Sequence, residues 1–274
     1  MVKRSKNSLM LGRRELILKT AGLFAVVGFA DGPFSKAFGQ SSSTVIATPI
    51  ETEGPYWVDE QLNRSDLSVD PTDNSVQPGF PLVLNVTVLQ FVDGVTSPVS
   101  DAYVDLWHCN AAGVYSDEQA QNSVGKKFLR GYQVTDENGA VRFLTIYPGW
   151  YSSRAVHIHC RVRVYSGDQT ATNLTTQFFF DDSITTEIYN QAPYNQRPFR
   201  DTLNTSDSVY TTLDCATGKL DGDETTLTLA TDSSHAVGTF SVVLSPATTS
   251  CGGNGGGGNP PPGGGFGPGR GPRP

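Results

Sequence analysis

The chain has 274 residues, 37% hydrophobic and 10% aromatic, which is enough apolar material for one large packed domain or two small ones. Its 27 acids outnumber 20 bases, giving a formal charge of −7; such a surface repels phosphate backbones and anionic lipids and excludes nucleic acid as a partner. Much of the excess of glycine and proline lies in the last two dozen residues, and what remains suits a turn-rich β protein.

Taken in chain order, residues 1–39 read as a signal peptide. The pair Arg13-Arg14 precedes an apolar Leu16-Ile17-Leu18, a modest apolar stretch runs from Ala21 to Ala30, and Ala37-Phe38-Gly39 is a small-x-small cleavage signal. Apolar runs of this length fall short of the ~20 residues of a membrane span. The twin arginine points to Tat-type export of a folded protein to the periplasm or the outside. The segment carries seven Lys/Arg against two acids, so its removal takes the charge from −7 to −12.

Residues 40–248 are expected to form one domain. From Ser41 to about Gln77 the chain is strand-poor, an ordered arm whose Tyr56 and Trp57 require cover. Strands are predicted at Pro81–Phe91, Ala102–Trp107, Gly131–Thr135, Val141–Ile146, His157–Tyr165, Gln177–Phe180 and Thr239–Leu244. Asn138-Gly139 predicts a hairpin turn between the third and fourth of these. With no long helical period between residues 80 and 245, the fold class is all-β, a β-sandwich. Residues 249–274, almost all Gly, Pro and Asn, have a composition that predicts a disordered tail. The even set Cys109, Cys160, Cys215 and Cys251 contains no CxxC and, in an exported chain, implies one or two disulfides of undetermined pairing.

The sharpest chemical signal is His157-Ile158-His159, which uses two of the four histidines. Strand side chains alternate, so the two imidazoles share a face and can converge on one ion, while Ile158 and Cys160 point the other way. Alone, this pattern fits an exposed polar face equally well, because Arg161 and Arg163 continue it. Two further segments add weight: the turn Tyr147-Pro148-Gly149-Trp150-Tyr151, and a strand-loop from Asp105 that ends in Tyr115.

Together, "DLWHCNAAGVY", "TDENGAVRFLTIYPGWY", "RAVHIH" and "TQFFF", with Glu53-Gly54-Pro55-Tyr56 upstream, resemble the intradiol ring-cleavage dioxygenases. That resemblance implies a non-haem ferric ion held by Tyr115, Tyr151, His157 and His159, with Arg154 and Gln177 beside a bound catechol. It implies that Tyr151 is the ligand that leaves, that Arg154 stabilises charge on the ring, and that O2 opens the ring to a cis,cis-muconate-type product. The donor set is chemically apt, since anionic oxygens suit a hard trivalent ion and the ion lowers phenol pKa values. Only five residues separate Tyr151 from His157, fewer than in many such enzymes, which predicts an open site with loose substrate choice. The helical N-terminal segment of the dimeric catechol enzymes has no counterpart, so the oligomeric state does not carry over.

Two other readings compete. A non-catalytic transthyretin-like or carboxypeptidase-regulatory sandwich would share the "VSDAYVDLW" rhythm as scaffolding, with no reason to gather those four side chains. A ferrous two-histidine, one-carboxylate site would need an acid at metal distance, and Asp105 is the nearest candidate, without an HxD spacing.

Overall fold

The computed structural model describes residues 45–245. The expected signal peptide and the Gly/Pro tail lie outside them. Two sheets face each other. One is four-stranded, in the order β4 (Arg130–Val134), β3 (Tyr103–Trp107), β6 (His157–Ser166), β7 (Gln169–Phe179), all antiparallel. In the other, β1 (Pro81–Val92) pairs in parallel with β9 (Ala236–Leu244), and β9 pairs with β8 (Thr228–Thr231). The opposite edge of β1 takes β5 (Ala140–Ile146) along its first half and β2 (Val95–Pro98) along its last residues.

The β-sandwich follows from period-two burial. Leu82, Leu84, Val86 and Val88 of β1 point inward and meet Val104 and Leu106 of β3 and Ile158, Cys160 and Val162 of β6, all buried. Because those residues of β3 and β6 face the core, Trp107, His157 and His159 must lie on the outer face of the four-stranded sheet. That face is covered by the arm. Tyr56 and Trp57 pack there on Trp107 and Tyr115, and the arm is tied to both sheets: Thr48 N–H donates to Val243 O of β9 at 3.0 Å and Glu51 N–H to Thr175 O of β7 at 2.9 Å. The arm continues along β4 and β5, where Tyr132 N–H donates to Leu62 O at 2.8 Å and Leu144 N–H to Ser65 O at 2.7 Å.

One expectation needs correction. Asn138-Gly139 does form a tight turn, with Gly139 at φ 72° and its N–H on Asp136 O at 2.9 Å, but it does not close a hairpin. Its flanking strands belong to different sheets, β4 pairing with β3 and β5 with β1. The reason is tertiary: Gly139 O accepts the Val88 N–H at 2.7 Å, and a Cβ on Gly139 would lie 2.4 Å from Val88 O. The turn is therefore a corner docked on β1. Strand β7 begins at Gln169 rather than Gln177, its polar, Thr-rich first half pairing with β6 at the sheet edge. Short β2 and β8, almost wholly exposed, and helices α1 (Asp182–Tyr189) and α2 (Asp221–Thr225) were not anticipated.

Cys109 and Cys160 are buried free thiols, whereas Cys215 is disulfide-bonded.

Candidate metal centre

Sheet register brings the pieces together. His159 lies between Trp107 on β3 and Gln177 on β7, and His157 is opposite Phe179. The Trp107 indole stacks on the His159 imidazole at 4.8 Å with an interplanar angle of 5°. His157 Nδ1–H donates to Ala155 O at 2.7 Å, which leaves its Nε2 with a lone pair directed outward, the tautomer a metal ligand requires. That Nε2 stands 3.1 Å from His159 Nε2 and 3.1 Å from the Tyr151 hydroxyl.

The loops that deliver the two tyrosines are packed on each other. Asn110 organises the first: its side-chain oxygen accepts the Ala112 and Val114 N–H groups, each at 3.0 Å. Its carbonyl accepts Gly149 N–H at 3.2 Å, and a Cβ on Gly149 would lie 2.4 Å from that oxygen and 2.5 Å from Ala111 O. Arg197 rivets the pair, donating through Nη1 to Trp150 O at 2.8 Å and Ala111 O at 3.3 Å. Tyr115 is fully buried, its ring 5.7 Å from that of Tyr151 and 6.2 Å from that of His159, and its hydroxyl, which neighbours the Tyr151 phenol, makes no hydrogen bond of good geometry. A buried, unpaired phenol costs free energy unless something satisfies it.

Geometry and donor chemistry both fit a metal ion. Two ligand atoms about 2.1 Å from one ion and at right angles stand ~3 Å apart, and the Tyr151 hydroxyl and His159 Nε2 each stand 3.1 Å from His157 Nε2. Burial, then the Arg154 charge, depresses His157 to about 3, and burial, then His157, puts His159 well below the usual histidine range. Both stay neutral, as ligands must be. Burial raises the Tyr151 phenol to about 12 and Tyr115 well above its ordinary value, so only a strong positive charge among these side chains would ionise them.

Arg154 and Gln177 lie beside this cluster. Arg154 Nη2 donates to Gln177 Oε1, and Gln177 Nε2 donates to Thr52 O at 2.9 Å, tying the arm to the sheet. Asp105 is elsewhere: it forms a bidentate pair with Arg163 at 2.8 and 2.9 Å. Among the described residues no group of three or more His, Cys, Asp or Glu could hold a metal, so the two-histidine, one-carboxylate alternative has no carboxylate. His108 is spent on structure, its ring bonded to Cys109 O at 2.9 Å and the Thr145 hydroxyl at 2.7 Å.

Sequence reasoning missed several contributors. Trp107 was recoverable, because strand alternation from Leu106 places it outward. Tyr56 stacks on Tyr115 at 4.4 Å and Gly54 packs so closely that a Cβ would lie 3.3 Å from His159 Cε1; only the need for cover hinted at this. Asp207, which accepts from Arg154 Nε at 2.9 Å, gave no signal.

The family model described as "Dioxygenase" matches residues 52–198, more than half of the chain. A protocatechuate 3,4-dioxygenase beta chain from Burkholderia cepacia is 35% identical over 125 residues, covering 42% of this chain and 52% of that protein. A catechol 1,2-dioxygenase from Acinetobacter baylyi is 33% identical over 108 residues, covering 38% of this chain and 32% of that protein. The matched stretch thus spans about half the length, or less, of these curated relatives. Among solved structures, an intradiol ring-cleavage dioxygenase from Tetranychus urticae is 28% identical with a TM-score of 0.61, covering 75% of this chain and 98% of that one.

Proposed function

Because the chain belongs to the intradiol ring-cleavage dioxygenase family, we propose that it cleaves catecholic aromatics between their two hydroxyl-bearing carbons with O2, giving cis,cis-muconate-type products. Tyr115, Tyr151, His157 and His159 would hold a non-haem ferric ion. The observation that carries this reading is the approach of the Tyr151 hydroxyl and His159 Nε2 to 3.1 Å from His157 Nε2, beside the buried Tyr115 hydroxyl. A ferric ion held there supplies Lewis acidity, which favours the doubly deprotonated catechol and the reaction of its ring with O2.

The chain's own residues divide the remaining work. Tyr151 is only partly buried whereas Tyr115 is fully buried; its phenolic oxygen is therefore the one able to accept a catechol proton and swing outward. Tyr115, enclosed by Tyr56 and Trp107, stays in place and fixes the other side. The Arg154 guanidinium supplies fixed positive charge for a ring that becomes electron-rich, a preorganised electrostatic role. Gln177 holds that guanidinium and the Thr52 carbonyl together. Export by the Tat route belongs to the same reading, and the disulfide at Cys215 supports an oxidising destination. Iron-loaded protein given catechol is expected to consume one O2 per ring and release a muconate. A product cleaved outside the diol, or no O2 uptake, would refute the assignment.

A further inference from the structure

Asp207 lies beyond the family-matched residues 52–198 and contributes nothing to the donor set, yet it is fully buried beneath Arg154. Its carboxylate accepts four hydrogen bonds. One oxygen takes Arg154 Nε–H at 2.9 Å and Ala155 N–H at 2.7 Å, and the other takes Val209 N–H at 2.7 Å and Tyr210 N–H at 3.2 Å. All four acceptor sites of a carboxylate are thereby used. Burial opposes its charge, but Arg154 and the backbone N–H groups hold its pKa below the usual carboxylate value.

We propose that Asp207 is a positioning residue for ring cleavage, fixing the Arg154 guanidinium against the bound catechol. The inference rests on the dioxygenase reading above. With Nε on Asp207 and Nη2 on Gln177, the guanidinium is held at two points, and Nη1 has no hydrogen-bond partner among the described residues. One edge of the cation is thus left for a ligand. The same carboxylate oxygen grips Ala155 N–H, while Ala155 O holds His157 Nδ1–H. Asp207 therefore touches the cation directly and reaches a predicted ligand through one residue, Ala155. The segment secures the loop between Tyr151 and His157 at its other end too. Asp201 accepts Ser152 Oγ–H at 2.6 Å and Ser153 N–H at 3.4 Å, across a backbone that is left-handed at Ser153, φ 73°. An amide at position 207 could not replace this acid, because its NH2 would face two donors.

The test is a double-mutant cycle of Arg154→Ala and Asp207→Asn, read as kcat and KM for catechol, with the visible band of each iron-loaded protein and the 15N resonance of Arg154 Nε–H in the metal-free protein. Asp207→Asn is expected to lower kcat about tenfold or more in the wild-type background and by less than about twofold once Arg154 is gone. KM and the visible band should change little, and the Nε–H resonance should lose its exchange protection. Equal losses in both backgrounds, or none in either, would overturn the proposal. If Asp207→Asn does not fold, Asp207→Glu, which keeps the charge but displaces it by a methylene, is read by the same criterion. A wild-type protein with neither visible band nor ring cleavage would instead refute the function on which the inference rests.

Discussion

Tyr115 and Tyr151 are the same residue type in the same cluster, but their surroundings separate their roles. Tyr115 is sealed under Tyr56 and Trp107, and Tyr151 is only partly buried. Tyr151→Phe is therefore expected to retain iron with a shifted visible band and to lose kcat about 100-fold or more. Tyr115→Phe should lose iron on dialysis, which metal analysis would report. The buried histidines also give stability a pH dependence. Burial, against the Cys109 carbonyl bond, depresses His108 to about 4, and His157 falls to about 3. An unfolded histidine takes its proton near 6.5. Below that pH the unfolded chain binds protons the folded one refuses, so stability falls as pH drops toward 4, with His108 alone costing about 3 kcal/mol at pH 4. Melting of the metal-free protein should show this decline, and a flat profile between neutral and mildly acidic pH would contradict it.

At the scale of elements, the site depends on two contacts without side-chain volume. Gly149 lets the Tyr151 turn rest on the Asn110 loop, and Gly54, at φ 69°, lets the arm lie against His159. Gly149→Ala places a carbon 2.4 Å from Asn110 O and is expected to cost about 1–3 kcal/mol by overpacking, measurable in urea. Gly54→Val should leave the sandwich intact and weaken iron retention. These elements also show what could be read in advance. The histidine pair was legible because strand period fixes which side chains share a face, and Trp107 follows from the same rule. The tyrosines were legible only through the combined motifs, since each loop alone looks like packing. Asn138-Gly139 specifies a turn but not its strands' partners, which the Val88–Gly139 bond decides. Asp207 was invisible: it reaches Arg154 across 53 positions of sequence, with no local pattern to mark it.

For the whole molecule, the sandwich is a rigid support whose core has no part in the chemistry. Ile158, Cys160 and Val162 face inward so that His157 and His159 can face outward. With Cys109 and Cys160 free and Cys215 bridged, denaturation without reductant should expose two titratable thiols, and reduction should cost about 2–4 kcal/mol of stability while sparing the visible band. Two thiols is the count expected; four would mean that no bridge forms. No described helix is long and apolar enough to cross a membrane. The proposed function converges on two phenols and two imidazoles that would hold one ferric ion. The measurement that tests this most directly is the visible spectrum of the iron-loaded protein before and after anaerobic addition of catechol. A tyrosinate-to-iron band that moves to longer wavelength as catechol chelates is the predicted result. A protein that binds no iron, or whose spectrum ignores catechol, would contradict it.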